Sequence, residues 1–197
     1  MLNGSPRKNG NIALAFGEMA QVFEKNGVEY ENILLGRMDI RGCIACETCR
    51  KNHKCAFDDV VNELAGKFEK ADGLVIGSPV YYGQPNGTVL SLLQRMFYSA
   101  GKYFEGKPAA AVAVCRRGGA TAAFQTLQMP FQMMNMPIVT SQYWNIVYGR
   151  EEGQAALDAE GMQTMRTLAR NMAYLLKATE GKKRPEAEPR QATHFIR

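Results

Sequence analysis

Asn3-Gly4-Ser5-Pro6-Arg7-Lys8-Asn9-Gly10-Asn11 runs directly into the apolar-periodic segment Ile12, Ala15, Phe16, Met19, Val22 and Phe23. Apolar residues three and four apart mark one face of a helix, so a short polar loop leads here into a helix start. Such a junction can hold an anion. Free backbone N–H groups and the positive end of the helix dipole face the loop, Ser5 and Asn11 add side-chain donors, and Arg7 offers a planar fork matched to phosphate. The stretch has neither G-x-G-x-x-G nor G-x-x-x-x-G-K followed by Ser or Thr, which disfavours a dinucleotide fingerprint and a Walker loop. The alternative is a polar turn that only caps a helix, and the rest of the chain decides between the two.

An alternation of strands and helices runs on from this start. Only Met1 and Leu2 precede Asn3, so the strand that should feed the loop is either unusually short or begins upstream. A helix is expected over residues 11–26, stopped by Asn26-Gly27, and then a strand over 28–35 with Val28, Tyr30 and Ile33-Leu34-Leu35 as its apolar content. The connection over 36–56 is long, and a structureless loop of that length inside a domain is usually functional. Asp58 or Asp59 can cap a helix over 60–70, with Val61, Leu64, Ala65 and Phe68 at helical spacing. Gly73-Leu74-Val75-Ile76-Gly77 is wholly apolar, as expected of a strand covered on both faces, and Ser78-Pro79-Val80-Tyr81-Tyr82-Gly83 follows it. Helical spacing returns over 86–104. An apolar strand over 109–114 ends in Cys115-Arg116-Arg117-Gly118-Gly119; a helix over 122–134, a last strand over 138–140 and a closing helix over 157–178 complete the pattern. Parallel strands need crossover connections, and right-handed crossovers put helices on both faces. The fold class is therefore α/β, a doubly wound parallel five-stranded sheet with helices on both faces. The domain is expected over 1–179, followed by a polar basic tail over 180–197 that is either disordered or an arm lying on a partner subunit.

Composition excludes several classes. A chain of 197 residues with 46% hydrophobic and 22% charged residues is ordinary globular protein. There is no membrane-length apolar run and no signal-peptide pattern, so a cytoplasmic protein without a membrane partner is expected. The net charge is +5, and Lys182, Lys183, Arg184, Arg190 and Arg197 in the tail supply five of the 24 basic residues. That tail has no interleaved aromatics apart from Phe195, which argues against nucleic acid.

Ligands of parallel α/β sheets bind outside the carboxyl ends of the strands. The loops 4–11, 78–83 and 115–119 all lie there and should converge on one pocket. The first suits a single phosphate. The second offers Pro79, Val80, Tyr81 and Tyr82, flat or apolar groups that can press against a planar heterocycle, with Gly83 allowing close backbone approach. A bound phosphate, a spacer and an aromatic ring describe flavin mononucleotide, FMN; the alternative for Tyr81-Tyr82 is ordinary aromatic packing.

Gly4-Ser5-Pro6-Arg7 with Asn9 and Asn11, followed by Gly77-Ser78-Pro79-Val80-Tyr81-Tyr82-Gly83, resembles the flavodoxin-like NAD(P)H-dependent FMN reductases. Four clustered cysteines make the chain similar to the iron–sulfur flavoprotein branch, and the resemblance extends through 143–149 and 160–166. It implies a flavodoxin-like fold and FMN with its phosphate on Ser5, Arg7, Asn9, Asn11 and Ile12. By the same resemblance Pro79, Val80, Tyr81, Tyr82 and Gly83 carry the ring, with Arg116, Gly118 and Gly119 contributing from the third loop. Arg116-Arg117 could instead serve a neighbouring subunit or the phosphate of a nicotinamide cofactor. A homodimer or homotetramer is implied, with the cluster and flavin of different subunits approaching each other.

Cys43-x2-Cys46-x2-Cys49-x5-Cys55 places four thiols on one loop. Closely spaced cysteines let one segment reach several corners of a 4Fe–4S cluster, and a C-x2-C-x2-C run is the ferredoxin-like habit. Zinc usually pairs two separated C-x2-C knuckles, so it is the alternative, as are free or redox-active thiols. The spacing departs from the bacterial ferredoxin pattern in its last gap. His53 is expected to be exposed, not a ligand. Arg50, Lys51 and Lys54 should surround the loop with positive charge and attract an acidic carrier. Cys115 reads as a small buried hydrophobe.

The resulting expectation is an FMN-dependent electron-transfer oxidoreductase. It would pass electrons between the cluster and FMN, with a ferredoxin-like carrier or NAD(P)H on one side and a small-molecule acceptor on the other. Two alternatives stay open: an NAD(P)H-dependent FMN or quinone reductase without a cluster, and a non-enzymatic redox sensor.

Overall fold

One interior strand is built from small residues, Ala109–Cys115 with the sequence AAAVAVC, and every one of them is buried. Side chains alternate across a strand, and here Ala109, Ala111, Ala113 and Cys115 face one apolar cluster while Ala110, Val112 and Val114 face the other. The computed structural model describes residues 1–186, 188, 189, 191 and 193. Its elements are β1 (Leu2–Asn3), α1 (Asn11–Lys25), β2 (Ile33–Leu34), α2 (Cys49–Asn52), α3 (Val60–Lys70), β3 (Leu74–Tyr81), β4 (Gln84–Pro85), α4 (Gly87–Ala100), β5 (Ala109–Cys115), α5 (Ala120–Met133), β6 (Ile146–Tyr148) and α6 (Ala159–Thr179). Two 3-10 turns lie at Gly101–Tyr103 and Gln154–Leu157.

The strand order is β2-β1-β3-β5-β6 and all of these pairs are parallel. This is the flavodoxin-like doubly wound sheet of five parallel strands. The short β4 adds a sixth strand outside that set, pairing antiparallel with the tip of β3. Helices α1 and α6 bury Ile12, Phe16, Met165 and Leu168 against one face of the sheet, and α3, α4 and α5 bury Leu64, Leu92, Met96 and Leu127 against the other. No helix among the described residues is long and apolar enough to cross a membrane.

The structure corrects three local expectations. The strand expected over 28–35 shrinks to Ile33–Leu34. It is an edge strand whose neighbour, β1, has only two residues, and Tyr30 lies outside with its hydroxyl donating to Glu24 Oε1 at 2.7 Å. The strand expected over 138–140 is only a bridge, Ala109 to Ile138, and the last strand is Ile146–Tyr148, paired to the other end of β5. Between them the chain leaves the ladder, because Ser141 Oγ bonds the Tyr143 carbonyl at 2.6 Å and Asn145 Oδ1 at 2.8 Å, an alternative to strand pairing. The loop over 36–56 is not structureless throughout, since Cys49–Asn52 forms one helical turn. The first part of the tail is exposed and irregular, and Arg184 donates to the Glu105 carbonyl. Arg190, Phe195 and Arg197 lie outside the described residues.

Candidate functional site

The expected loops meet at the carboxyl ends of β1, β3 and β5. Gly4 N–H donates to the Gly77 carbonyl at 2.8 Å, and Asn86 Nδ2 donates to the Gly4 carbonyl at 3.0 Å, which ties the first loop to the second. Asn86 also accepts from Thr88 N–H at 2.8 Å as the N-cap of α4, and its own N–H donates to Ser78 Oγ at 2.8 Å. A Cβ built on Gly119, which has a φ of +83°, would come within 2.9 Å of Gly83 Cα, so the second and third loops touch backbone to backbone. A fourth segment, not assigned to the site from sequence, closes the ring: Gly149 N–H donates to the Cys115 carbonyl at 2.9 Å.

The first loop is held open by its own side chains. Ser5 N–H donates to Asn3 Oδ1 at 2.9 Å, Arg7 N–H to Ser5 Oγ at 3.1 Å, and Gly10 N–H to the Arg7 carbonyl at 3.1 Å. The N–H groups of Lys8, Asn9, Asn11 and Ile12 have no acceptor among the described residues. Four free donors in the loop and at the first turn of α1 suit an anion, which fits the phosphate end of FMN. Asn11 is buried and spans to the fourth segment, donating to the Glu151 carbonyl at 3.0 Å and accepting from Ala155 N–H at 3.1 Å. Arg7 Nη1 donates to the Arg150 carbonyl at 3.1 Å. Of the expected phosphate residues, Ser5, Asn11 and Ile12 are buried, while Arg7 and Asn9 are exposed.

On the ring side, β3 runs past the sheet and turns back through Tyr82-Gly83 into β4. Tyr82 (φ 50°) and Gly83 (φ 77°) are both left-handed, the geometry of a tight two-residue hairpin turn. Pro79 and Val80 are half-buried, whereas Tyr81 and Tyr82 are exposed, so the core-packing alternative for the tyrosine pair does not hold. An open depression of about 530 Å³ lies at the ends of β5 and β6 and does not include this hairpin; it is lined by Arg116, Tyr148, Gly149, Arg150, Gln154, Leu157 and Asp158. Burial, and after it the nearby Cys115 thiol and Asp158, push the Tyr148 hydroxyl pKa up. Cys115 is buried, as its sequence suggested, and burial raises its thiol.

The cysteine loop is rooted on the phosphate loop. A Cβ on Gly36 would overlap the Ser5 carbonyl and the Pro6 nitrogen, and Arg37 Nε donates to the Pro6 carbonyl at 2.6 Å. The loop then coils tightly, with Ala45 (φ 52°) and Glu47 (φ 58°) both left-handed. Turns of this kind aim backbone N–H groups at an anion. Ala45 N–H donates to Cys43 Sγ at 3.4 Å. The hydroxyl and N–H of Thr48 lower the Cys46 thiol pKa; burial raises that of Cys49, and the nearness of Cys46, Cys55 and Cys43 adds to it. The other three thiols thus act on Cys49 through space, although no three His, Cys, Asp or Glu side chains among the described residues close into a metal-holding group. Soft thiol donors that receive N–H and O–H groups at sulfur fit an iron–sulfur cluster, and the donor set alone would also suit zinc. His53 is exposed, as expected. The expected collar of positive charge is partly neutralised, since Arg50 pairs with Glu47 at 3.0 Å and Lys54 with Asp58 at 3.2 Å.

Arg95 and Asp59 were not assigned to the site from sequence. Arg95 is 2% exposed and chelates Asp59, with Nη1 to Oδ2 at 2.7 Å and Nη2 to Oδ1 at 2.8 Å. Its Nε and Nη2 also reach Cys55 Sγ at 3.3 and 3.2 Å, and Nη1 reaches the Arg41 carbonyl at 3.3 Å. Burial opposes ionisation of Asp59, but Arg95 and the Val61 N–H more than offset it and hold the carboxyl below the usual carboxylate range. The signal in the sequence was a single charge within Gly87–Ala100, a helix otherwise apolar or small and polar.

Comparison with known proteins agrees with this geometry. The family profile described as NADPH-dependent FMN reductase matches residues 1–151. An iron–sulfur flavoprotein of Methanocaldococcus jannaschii is 32% identical over 184 residues, covering 89% of this chain and 95% of that one. An iron–sulfur flavoprotein of Methanosarcina thermophila is 28% identical over 181 residues, covering 89% and 93%. Among solved structures, a flavodoxin from the domain Archaea superposes with a TM-score of 0.58 at 13% identity, covering 89% of this chain and 96% of that one, a likeness of fold.

Proposed function

The chain belongs to the iron–sulfur flavoprotein branch of the NADPH-dependent FMN reductase family, a family of flavin-dependent oxidoreductases, and from that premise we propose that it passes electrons between a 4Fe–4S cluster and FMN. The observation that carries the reading is the junction at Gly36: one backbone contact joins a loop of free N–H groups to the loop that carries Cys43, Cys46, Cys49 and Cys55. When bound, FMN supplies interconversion of two-electron and one-electron steps and the cluster supplies single-electron steps. This chain's residues bind and orient. The N–H groups of Lys8, Asn9, Asn11 and Ile12 hold the phosphate, with Ser5 shaping the loop and Arg7 at its rim. Pro79 to Gly83, with Gly118 and Gly119, flank the ring, and Cys43, Cys46, Cys49 and Cys55 hold the iron.

Both sites sit along α4. Asn86 caps it beside the phosphate loop and Arg95 reaches Cys55, and nine residues of helix separate those positions by about 13 Å along the axis. In this reading the protein works as a homodimer or homotetramer in which the cluster of one subunit approaches the flavin of another. A ferredoxin-like carrier or NAD(P)H donates, and a small molecule accepts. A second reading, a cluster-free NAD(P)H-dependent FMN or quinone reductase, draws on Arg116 and Arg150, two guanidinium groups lining the depression at the ends of β5 and β6.

The test is the visible spectrum of protein purified without oxygen, with iron and acid-labile sulfide measured on the same sample. A broad shoulder near ~400 nm under flavin bands, with about four irons per chain, is the expected result. Flavin bands without iron would favour the second reading. A colourless protein that refuses added FMN would sink both.

A further inference from the structure

Arg95 is a charged side chain held almost wholly out of water. An arginine carries five N–H donors and no acceptor. All five are placed here: Nε and one N–H of Nη2 on Cys55 Sγ, the other N–H of Nη2 on Asp59 Oδ1, and the pair on Nη1 on Asp59 Oδ2 and the Arg41 carbonyl. Two of the five go to one sulfur. A neutral thiol is a weak acceptor, whereas a thiolate, free or bound to metal, accepts strongly. The guanidinium also stands 5.0 Å from the Phe57 ring centroid, and Arg41 covers that ring at 4.4 Å, so both ends of the cysteine loop are clamped around one group. Asn62 completes the clamp, accepting from Cys55 N–H at 2.9 Å and donating to the Cys55 carbonyl at 3.1 Å.

We propose that Arg95 is the positioning residue of the sulfur centre: it fixes Cys55 as the fourth thiolate ligand and raises the cluster's reduction potential by donating two N–H groups to that sulfur. The inference rests on the reading of Cys43, Cys46, Cys49 and Cys55 as cluster ligands. Hydrogen bonds to cluster sulfurs draw charge from them and favour the reduced, more negative state. Asp59 works in the opposite sense, since its carboxylate cancels much of the guanidinium charge at a distance of 2.7 Å. Electrostatic control of the cluster thus makes a prediction that a purely structural clamp does not. Removing Arg95 and neutralising Asp59 should move the potential in opposite directions.

The experiment compares the full-length holoprotein with Arg95→Gln, Arg95→Lys and Asp59→Asn, all prepared without oxygen. Iron, sulfide and FMN are counted per chain, and the reduced cluster is followed by electron paramagnetic resonance during a redox titration. In Arg95→Gln either iron is lost while FMN stays, or the fraction reduced at the wild-type midpoint falls at least tenfold relative to the oxidised form, about 59 mV for a one-electron couple. Arg95→Lys restores part of the shift, and Asp59→Asn, which keeps an N-cap side chain, shifts the midpoint upward. An unchanged midpoint and iron count in Arg95→Gln overturns the proposal, as does a shift of the same sign in both Asp59→Asn and the Arg95 variants. Should Arg95→Gln fail to fold, the signs for Arg95→Lys and Asp59→Asn still decide. Wild-type protein without iron after anaerobic reconstitution overturns the cluster reading itself, and this proposal with it, whereas iron lost from the variants alone leaves that reading intact.

Discussion

At the scale of single residues, the chemistry depends on groups that look incidental in the sequence. Asp59 joins the clamp on Cys55 to the start of α3, where it accepts from Val61 N–H at 3.1 Å. Its carboxyl titrates below the ordinary carboxylate value, so as pH falls the unfolded chain takes up the proton first, near pH 4. The stability that this carboxylate contributes is therefore complete above that pH and is lost as pH drops through the lower folded value. Denaturation midpoints measured from about pH 5 to about pH 2 should fall more steeply for the wild type than for Asp59→Asn. Parallel curves would remove Asp59 from the acid response. Gly36 is a second such residue. Its neighbours in the contact are backbone atoms of Ser5 and Pro6, which cannot swing aside as a side chain tip can. Gly36→Ala should cost about 1–3 kcal/mol at the phosphate loop and weaken FMN binding roughly tenfold, read by flavin fluorescence titration.

At the scale of elements, α4 does the most to relate the two sites. Its N-cap, Asn86, bonds Gly4 in the phosphate loop, and its third turn carries Arg95. Asn86→Ala removes the cap and the bond to Gly4 together. The cap alone is worth about 1 kcal/mol, which in a chain of this size lowers the thermal midpoint by about 2–4 °C, and FMN should bind more weakly in the same variant. An unaltered flavin affinity would confine Asn86 to helix stability. The long helices and the two buried strands were legible in the sequence because burial on both sides leaves continuous apolar runs and strict helical spacing. Val61, Leu64, Ala65 and Phe68 are an example, all buried on the inner side of α3. The sheet edges were less legible. Val28 and Tyr30 are apolar enough to read as strand but have no neighbour to pair with, and the split at 140–145 is fixed by Ser141 and Asn145, whose side chains bond locally. In the site, the donors of the first loop could be read from its composition. Asn86 and the 149–155 segment could not, since each acts on residues far from it in sequence, and Arg95 stood out only as the lone charge of its helix.

At the scale of the whole molecule, the two loops share α4 and the contact at Gly36 but differ in their other supports. The phosphate loop leads into α1 at the strand ends, whereas Cys55 is held by Asn62 of α3 and Arg95 of α4. Cys49→Ala should therefore abolish the iron signal and leave FMN content unchanged, measured as iron and flavin per chain. Loss of both would make the loop a folding element for the whole site. The sheet itself ends in two short edges. On one side lies a strand of two residues; on the other, Ile138 pairs at Ala109 and Ile146–Tyr148 pair at Ala113–Cys115, with a notch between them. Neither border offers the long, flat ribbon of unpaired backbone that another chain could zip onto, so accidental fibre-like growth is blocked at both ends of the sheet. Any contact between copies of this chain would then run through side chains on helices and loops and not through an extended sheet.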